Sequence, residues 1–293
     1  MFGSTEICVQ AAISGLAFYL FIAQTATDRS FLNRDLLKNL NFGIGTVLMF
    51  MVGLIMNGTL ALLPTMLQDL MNYPVLTTGL VTAPRGVGSM IAMFVVARLI
   101  DRVDNRLIIL FGLGLTAVSM WQMTGFSLYM GMEPVITSGL LQGFGLGCTF
   151  VPLNTIALAN LPRHMLTQGT ALRSLMRNLG GSVGIAILEA RLTENIQTVH
   201  SRLIEQLRPD NPLAQAPHLA APFSLTDPAG IAALNAEVTR QASMVAYIND
   251  FALMMAITIA SMLLLLLLRL PAPRRAAKPA VPVTTTMRPG PAD

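Results

Sequence analysis

The chain has 293 residues, of which 53% are hydrophobic and 12% charged, with a formal net charge of +4 and a mean hydropathy of +0.61. Soluble domains carry about a quarter charged residues, and here uncharged runs long enough to cross about 30 Å of hydrocarbon, roughly 20 residues each, recur too often for one soluble core. The basic excess forms no compact cluster on a polar element, which argues against nucleic acid, and the two cysteines, Cys8 and Cys148, both inside apolar runs, exclude a disulfide framework or a metal cluster.

A backbone facing lipid must satisfy its own hydrogen bonds, so the apolar runs are predicted to be helices. They are, in chain order, Ile7 to Thr27, Leu40 to Pro64, Leu76 to Ala97, Leu107 to Tyr129, Val135 to Leu158, Thr170 to Leu188 and Phe251 to Leu268. The first differs from a signal peptide: no basic region precedes it, and its apolar run exceeds the roughly 7 to 15 residues of a signal core. Between the sixth and seventh spans, Thr193 to Ala246 is polar and Pro-rich at its centre. It is predicted to be an outer loop carrying one short surface helix over Ala229 to Ala242, with Asp227 as N-cap and Pro228 in the first turn. After Leu270 the chain is Pro-rich, Ala-rich and basic, the composition of a disordered tail.

Orientation follows from the basic residues. A cytoplasmic carboxyl terminus places all of the 19 Lys and Arg residues inside except Arg85, Arg191, Arg202, Arg208 and Arg240. It leaves the short connections Leu67 to Tyr73 and Met130 to Pro134 without a cation, as outer loops should be. Seven spans then put Met1 outside.

Polar residues within spans are the functional candidates, since a charge in hydrocarbon costs at least about 2.5 kcal/mol on insertion scales. Arg85 lies inside the third span and needs a water-filled cavity or an acceptor. Asn57 and Gln142, near the middle of their spans, are candidates for lining a substrate path. Arg173 and Arg177, four apart at the cytoplasmic start of the sixth span, fit snorkelling. Gly143 and Gly147, and again Gly180 and Gly184, are spaced four apart and give small faces for close helix approach, whereas Gly145 need not share that face. No Asp, Glu or His falls near the centre of a span: Glu189 and Asp250 lie at outer ends and His164 in an inner loop. No nucleophile–base pair, metal-ligand set or phosphate loop is present, so an enzyme is not expected.

The connection after the third span, Ala97-Arg98-Leu99-Ile100-Asp101-Arg102-Val103-Asp104-Asn105-Arg106, resembles the loop between the second and third helices of each half in the major facilitator superfamily. The family pattern Gly-x-x-x-Asp-Arg-x-x-x-Arg is met at Asp101, Arg102 and Arg106 and missed at Ala97. Alternating carboxylates and guanidiniums at a helix junction can bond in one conformation and part in another, forming an inner latch; they also serve as a topology signal, with Asp104 as N-cap of the fourth span.

Four further segments narrow the resemblance to the fourteen-spanner drug:proton antiporters, the EmrB-type multidrug exporters. They are Asn41-Phe42-Gly43, Thr78-Gly79-Leu80 to Pro84-Arg85-Gly86, Leu141-Gln142-Gly143-Phe144-Gly145 to Phe150-Val151-Pro152-Leu153, and Arg177-Asn178-Leu179-Gly180-Gly181-Ser182-Val183-Gly184. The resemblance implies an all-α membrane protein of seven transmembrane helices, one linker helix plus a six-helix major-facilitator half-bundle. Residues 1–39 would be the linker helix and its cytoplasmic connection, 40–269 the carboxyl-terminal half with outer loop 193–246, and 270–293 the cytoplasmic tail. It further implies drug/proton antiport in the inner membrane, driven by the proton gradient without a cofactor or metal, on amphipathic or cationic small molecules. The chain would be a truncated carboxyl half, with an amino-terminal half bearing the embedded acid and a periplasmic adaptor as partners. The alternative is a non-transporting membrane scaffold, partner subunit or inactive fragment.

Overall fold

The computed structural model describes residues 5–26, 40–100, 102–159, 165–206 and 227–267. Every regular element among them is helical: α1 (Thr5–Ala26), α2 (Leu40–Asp69), α3 (Val75–Thr82), α4 (Pro84–Leu99), α5 (Asn105–Thr124), α6 (Glu133–Ala159), α7 (Leu166–Gln206) and α8 (Pro228–Leu266). The tail 270–293, the connection 27–39 and His164 lie outside the described residues.

Five crossings are long and apolar enough for a bilayer among these residues: Asn41–Asp69, Val75–Leu99, Asn105–Thr124, Glu133–Ile156 and Pro228–Leu266. The expected first span corresponds to α1, whose apolar helical part is Cys8–Ala17. The expected sixth lies in α7, which mixes Arg173, Arg177 and Asn178 into its apolar residues. The third crossing is divided between α3 and α4 at Ala83, because Pro84 has no N–H and its ring crowds the preceding turn. The backbone nonetheless continues, with Ala83 N–H donating to Gly79 O at 2.9 Å and Thr82 Oγ1 donating to Thr78 O at 2.8 Å.

The stretch expected as an outer loop is different from that expectation wherever it is described. α7 continues to Gln206 and α8 starts at Pro228, so Thr193 to Gln206 and Pro228 to Ala246 are helical extensions of the two crossings. The expected surface helix over Ala229 to Ala242 is the first part of one 39-residue helix. Helices of 41 and 39 residues are about 60 Å long at 1.5 Å per residue, twice the hydrocarbon thickness. Neither Gly nor Pro occurs between residues 185 and 208 or between 231 and 270, so nothing in the local chemistry stops either helix where its polarity changes. His200 Nε2 and Asn235 Oδ1 meet at 3.0 Å, tying the two extensions together. The start of α8 is capped as the sequence indicated, with Gly230 N–H donating to Asp227 Oδ2 at 3.3 Å and Pro228 in the first turn.

α6 packs against both α4 and α5, α7 against α2, and α8 against α5, α7 and α2. At one end of the bundle Met66, Met123, Tyr247, Phe251 and Met254 form an apolar core, with Phe126 edge-on to Phe251 at 6.0 Å. Towards the other end Leu48, Val52, Ile109, Leu113, Leu153 and Leu265 form a second.

The glycine faces sit at the closest helix approaches. A Cβ on Gly143 would collide with the carbonyl oxygen of Arg85, and Gly147 faces Ser89 O at 2.8 Å from the same ideal Cβ position, both across the α4–α6 seam. Gly180 abuts Phe50 O, and Gly184 faces Leu54, on the α2–α7 seam. Gly145 points the other way, towards Gly112 and Thr116 of α5, so a single helix uses small residues on two faces to hold two partners.

Candidate functional site

A cavity of about 540 Å³ opens between α2, α3, α4, α6 and α7. Its wall is mostly apolar, from Val52, Met56, Leu63, Met93, Leu146 and Phe150, and it is broken by the guanidiniums of Arg85 and Arg177; among the described residues no carboxylate borders it. Pro64, inside α2, and Thr82, at the bend before Pro84, also line it, so proline interruptions in two crossings flank the space. Leu60 and Gly86 on its border are exposed, which leaves one side open.

Arg85 answers the demand its sequence position raised. Its Nη2 donates to Met56 O at 3.1 Å, a carbonyl of α2. A guanidinium has five N–H donors in a planar fork, so most remain for a ligand in the cavity. Arg177 lies over the Phe150 ring with its Cζ 5.6 Å from the centroid, a cation–π arrangement that offsets part of the desolvation of a cation in an apolar wall. Sequence reasoning assigned Arg177 to snorkelling; the signal it lacked was the aromatic on α6, which only the tertiary fold brings near.

Arg173, four residues earlier, does not snorkel either. It is 2% exposed and donates from Nη1 to Asn154 O and from Nη2 to Leu153 O, each at 3.1 Å. These are carbonyls late in α6, and a guanidinium donating to them makes charge-assisted bonds. Arg173 therefore pins the last turns of α6 to the start of α7.

Of the other two path candidates, neither borders the cavity. Asn57 donates from Nδ2 to Gly53 O at 2.9 Å and packs into the gap over Gly181, filling the α2–α7 seam. Gln142 is fully buried and donates from Nε2 to Thr59 Oγ1 at 3.0 Å, so it stands one residue behind the wall that Thr59 forms. Thr59 in turn donates to Ile55 O at 2.8 Å. Replacing Thr59 with valine keeps the shape and removes the acceptor. Thermal unfolding should show a loss of about 1–3 kcal/mol for an orphaned buried amide, and Thr59→Val combined with Gln142→Leu should regain most of it; an additive double variant would show that the pair is uncoupled.

In the loop expected to act as a latch, Asp101 lies outside the described residues. Arg102 is exposed and Arg106 half-buried, with Arg106 Nη2 lacking a hydrogen-bond partner among the described residues. Asp104 takes the capping role foreseen for it: its Oδ1 accepts from Arg106 N–H at 3.1 Å.

Comparison with known proteins gives the same architecture a lineage. The chain is 30% identical over 217 residues to the "Multidrug export protein EmrB" of Escherichia coli K12, covering 73% of this chain and 42% of that protein. It is 28% identical over 243 residues to the "Multidrug export protein EmrB" of Haemophilus influenzae, covering 82% and 48%. Against the "Multidrug resistance protein B homolog" of Mycobacterium tuberculosis H37Rv it is 30% identical over 198 residues, covering 66% and 36%. The chain thus spans less than half the length of these relatives. The model described as "Major Facilitator Superfamily" matches residues 8–185, and with its all-helical, multi-pass membrane fold this chain belongs to that superfamily.

Proposed function

We propose that this chain forms one wall of a multidrug exporter that moves amphipathic small molecules across the inner membrane in exchange for protons. The observation that carries the reading is the cavity: an apolar surface of small-ligand size with two guanidiniums and, among the described residues, no carboxylate on its border. Pockets that bind small molecules have this form, a mainly apolar wall with a few placed polar groups. The glycine seams on either side, α4–α6 and α2–α7, are smooth enough for one helix group to move against another, as alternating access requires. The loop of Asp101, Arg102 and Arg106 would lock the cytoplasmic side in one of the two states.

The charge on the wall refines the substrate class. An amphipathic molecule with an acidic head would place its anion against Arg85 and Arg177 and its body against Met56, Met93 and Leu146. A cationic drug would find no counter-ion on this wall and would need a carboxylate supplied by another one. A larger assembly containing an amino-terminal half and a periplasmic adaptor would provide both that wall and an exit route.

The test is accumulation of a fluorescent anionic amphiphile in cells lacking their own exporters. Co-expression of the chain with the amino-terminal half of an EmrB-type relative and its adaptor is expected to lower accumulation, and collapse of the proton gradient to restore it; accumulation equal to that of cells expressing the amino-terminal half and adaptor without this chain overturns the reading. The orientation has its own test, because Asn235 is exposed on the α8 extension. Asn235→Cys should react with an impermeant maleimide in intact cells, and reaction only after permeabilisation would place this extension in the cytoplasm.

A further inference from the structure

Asp250 is fully buried, and neither Oδ1 nor Oδ2 has a hydrogen-bond partner among the described residues. It stands in α8 where the extension passes into the apolar crossing, between Tyr247 and the buried Phe251 and Met254. A carboxyl group with both oxygens orphaned in such surroundings is far more stable neutral than ionised, because nothing replaces the water that the anion would lose.

The charged groups around it do not outweigh this. The helices packed against α8 are α5, α7 and α2. α5 has no titratable residue between Leu107 and Thr124, and α2 has only Asp69. On α7 the groups at this level are Glu189, Arg191 and Glu194, all exposed. Arg191 is the cation within electrostatic reach of Asp250, while Asp69 and Glu189 lie within reach of Tyr247, one turn away on α8 itself. Arg191 favours the anion, but it is exposed, so solvent screens its pull while the desolvation of the orphaned carboxylate is unrelieved. A metal cation is not the natural occupant, since the described residues contain no group of three or more His, Cys, Asp or Glu side chains able to hold one.

We infer that Asp250 is a proton-binding site of this chain, protonated while α2, α7 and α8 are packed together and ionised when that seam opens to water. In the closed state the proton sits on one carboxyl oxygen. Its release leaves a carboxylate that cannot stay in the seam, so α8 must part from Leu188 of α7 and Met66 of α2, admitting water and bringing Asp250 towards Arg191. Protonation thereby favours the closed seam by the same linkage. The site lies in this chain's own helices, whereas the resemblance placed the proton-carrying acid in an amino-terminal half. It gains a transport role only if the proposed export holds, but the proton site stands or falls separately.

The experiment uses the full chain in lipid nanodiscs and needs no transport. Infrared difference spectra between wild type and Asp250→Asn should show a protonated-carboxyl stretching band at neutral pH that the variant lacks and that wild type loses in alkali. Should Asp250→Asn fail to fold, Asp250→Glu identifies the same band by shifting it. The seam is read by Leu188→Cys, whose side chain position is 1% exposed in the closed state. Its rate of reaction with an impermeant thiol reagent is normalised to that of Asn235→Cys. The normalised rate should rise at least tenfold on deprotonation of Asp250 and stay flat with pH when Asp250→Asn is added. An ionised Asp250 at neutral pH overturns the proton site; a Leu188→Cys rate with the same pH profile in both backgrounds overturns its coupling to the seam.

Discussion

Leucine in place of Gly143 is expected to remove most of the folded protein. An added Cβ would collide with the carbonyl oxygen of Arg85 and lie 2.8 Å from its carbonyl carbon and 3.1 Å from its Cα. Those are backbone atoms of a neighbouring helix, so no side-chain rotation relieves the clash. α4 and α6 must separate along the seam, which also carries Gly88 against Leu140 O and Gly147 against Ser89. Overpacking a well-packed interior costs typically about 1–3 kcal/mol, and a clash borne by backbone belongs at or beyond the upper end of that range. In lipid no hydrophobic force drives the helices back together, because association depends on close packing itself. Size-exclusion profiles and thermal midpoints in detergent should show loss of the monodisperse species. Gly114→Ala, where nothing lies within 4 Å of an added Cβ, should leave both unchanged. A Gly143→Leu variant with the wild-type midpoint would mean that the two helices slide freely past each other.

The crossings themselves were readable because hydropathy and charge are one-dimensional properties. Arg85 stood out for the same reason, a cation inside an apolar run. What hydropathy could not supply was rotation about the helix axis. α2 and α6 are apolar nearly all round, so their sequences carry little information about which residue faces a cavity, a seam or lipid. That is why Asn57 and Gln142 were expected to border the path, while Thr59 and Met56, chemically unremarked, do so. The ends of α7 and α8 were missed for another reason. A window measuring apolarity stops at the edge of the hydrocarbon, but a helix stops only at Gly, Pro or a competing cap, and residues 185–206 and 231–250 offer none. Asp104 and Asp227, whose capping depends on local spacing alone, were placed correctly by sequence.

The roles of the two arginines in Arg173-x-x-x-Arg177 show the same limit. Four residues apart on one helix, they share a face, and sequence gives them one explanation. The fold gives them two, because α6 ends beside Arg173 and presents Phe150 beside Arg177. One holds helices together and the other borders the cavity.

Arg85→Met should separate binding from folding. Methionine keeps the length of the stem and removes the charge from the α3–α4 crossing. Because a cation in the bilayer interior is unfavourable by about 2.5–3.5 kcal/mol on insertion scales, losing it offsets the lost bond to Met56 O, a neutral acceptor with its helical role intact. Stability should therefore stay close to wild type. Binding should not: a hydrogen bond to a charged group contributes about 1.5–3 kcal/mol, which corresponds to roughly a 10- to 150-fold weaker Kd for an amphipathic anion. Arg85→Lys keeps the charge but not the fork and should fall between the two, because a single ammonium cannot serve Met56 O and a ligand oxygen with the same planar geometry. Equilibrium binding of a fluorescent anionic amphiphile and of a cationic one of matched size reads the difference. The anionic probe should lose affinity in Arg85→Met, and the cationic probe should hold or gain, since the like charge that repelled it has gone. Equal losses for both probes would mean that Arg85 shapes the cavity without selecting charge, and the preference for an acidic head would then have to rest on Arg177 alone.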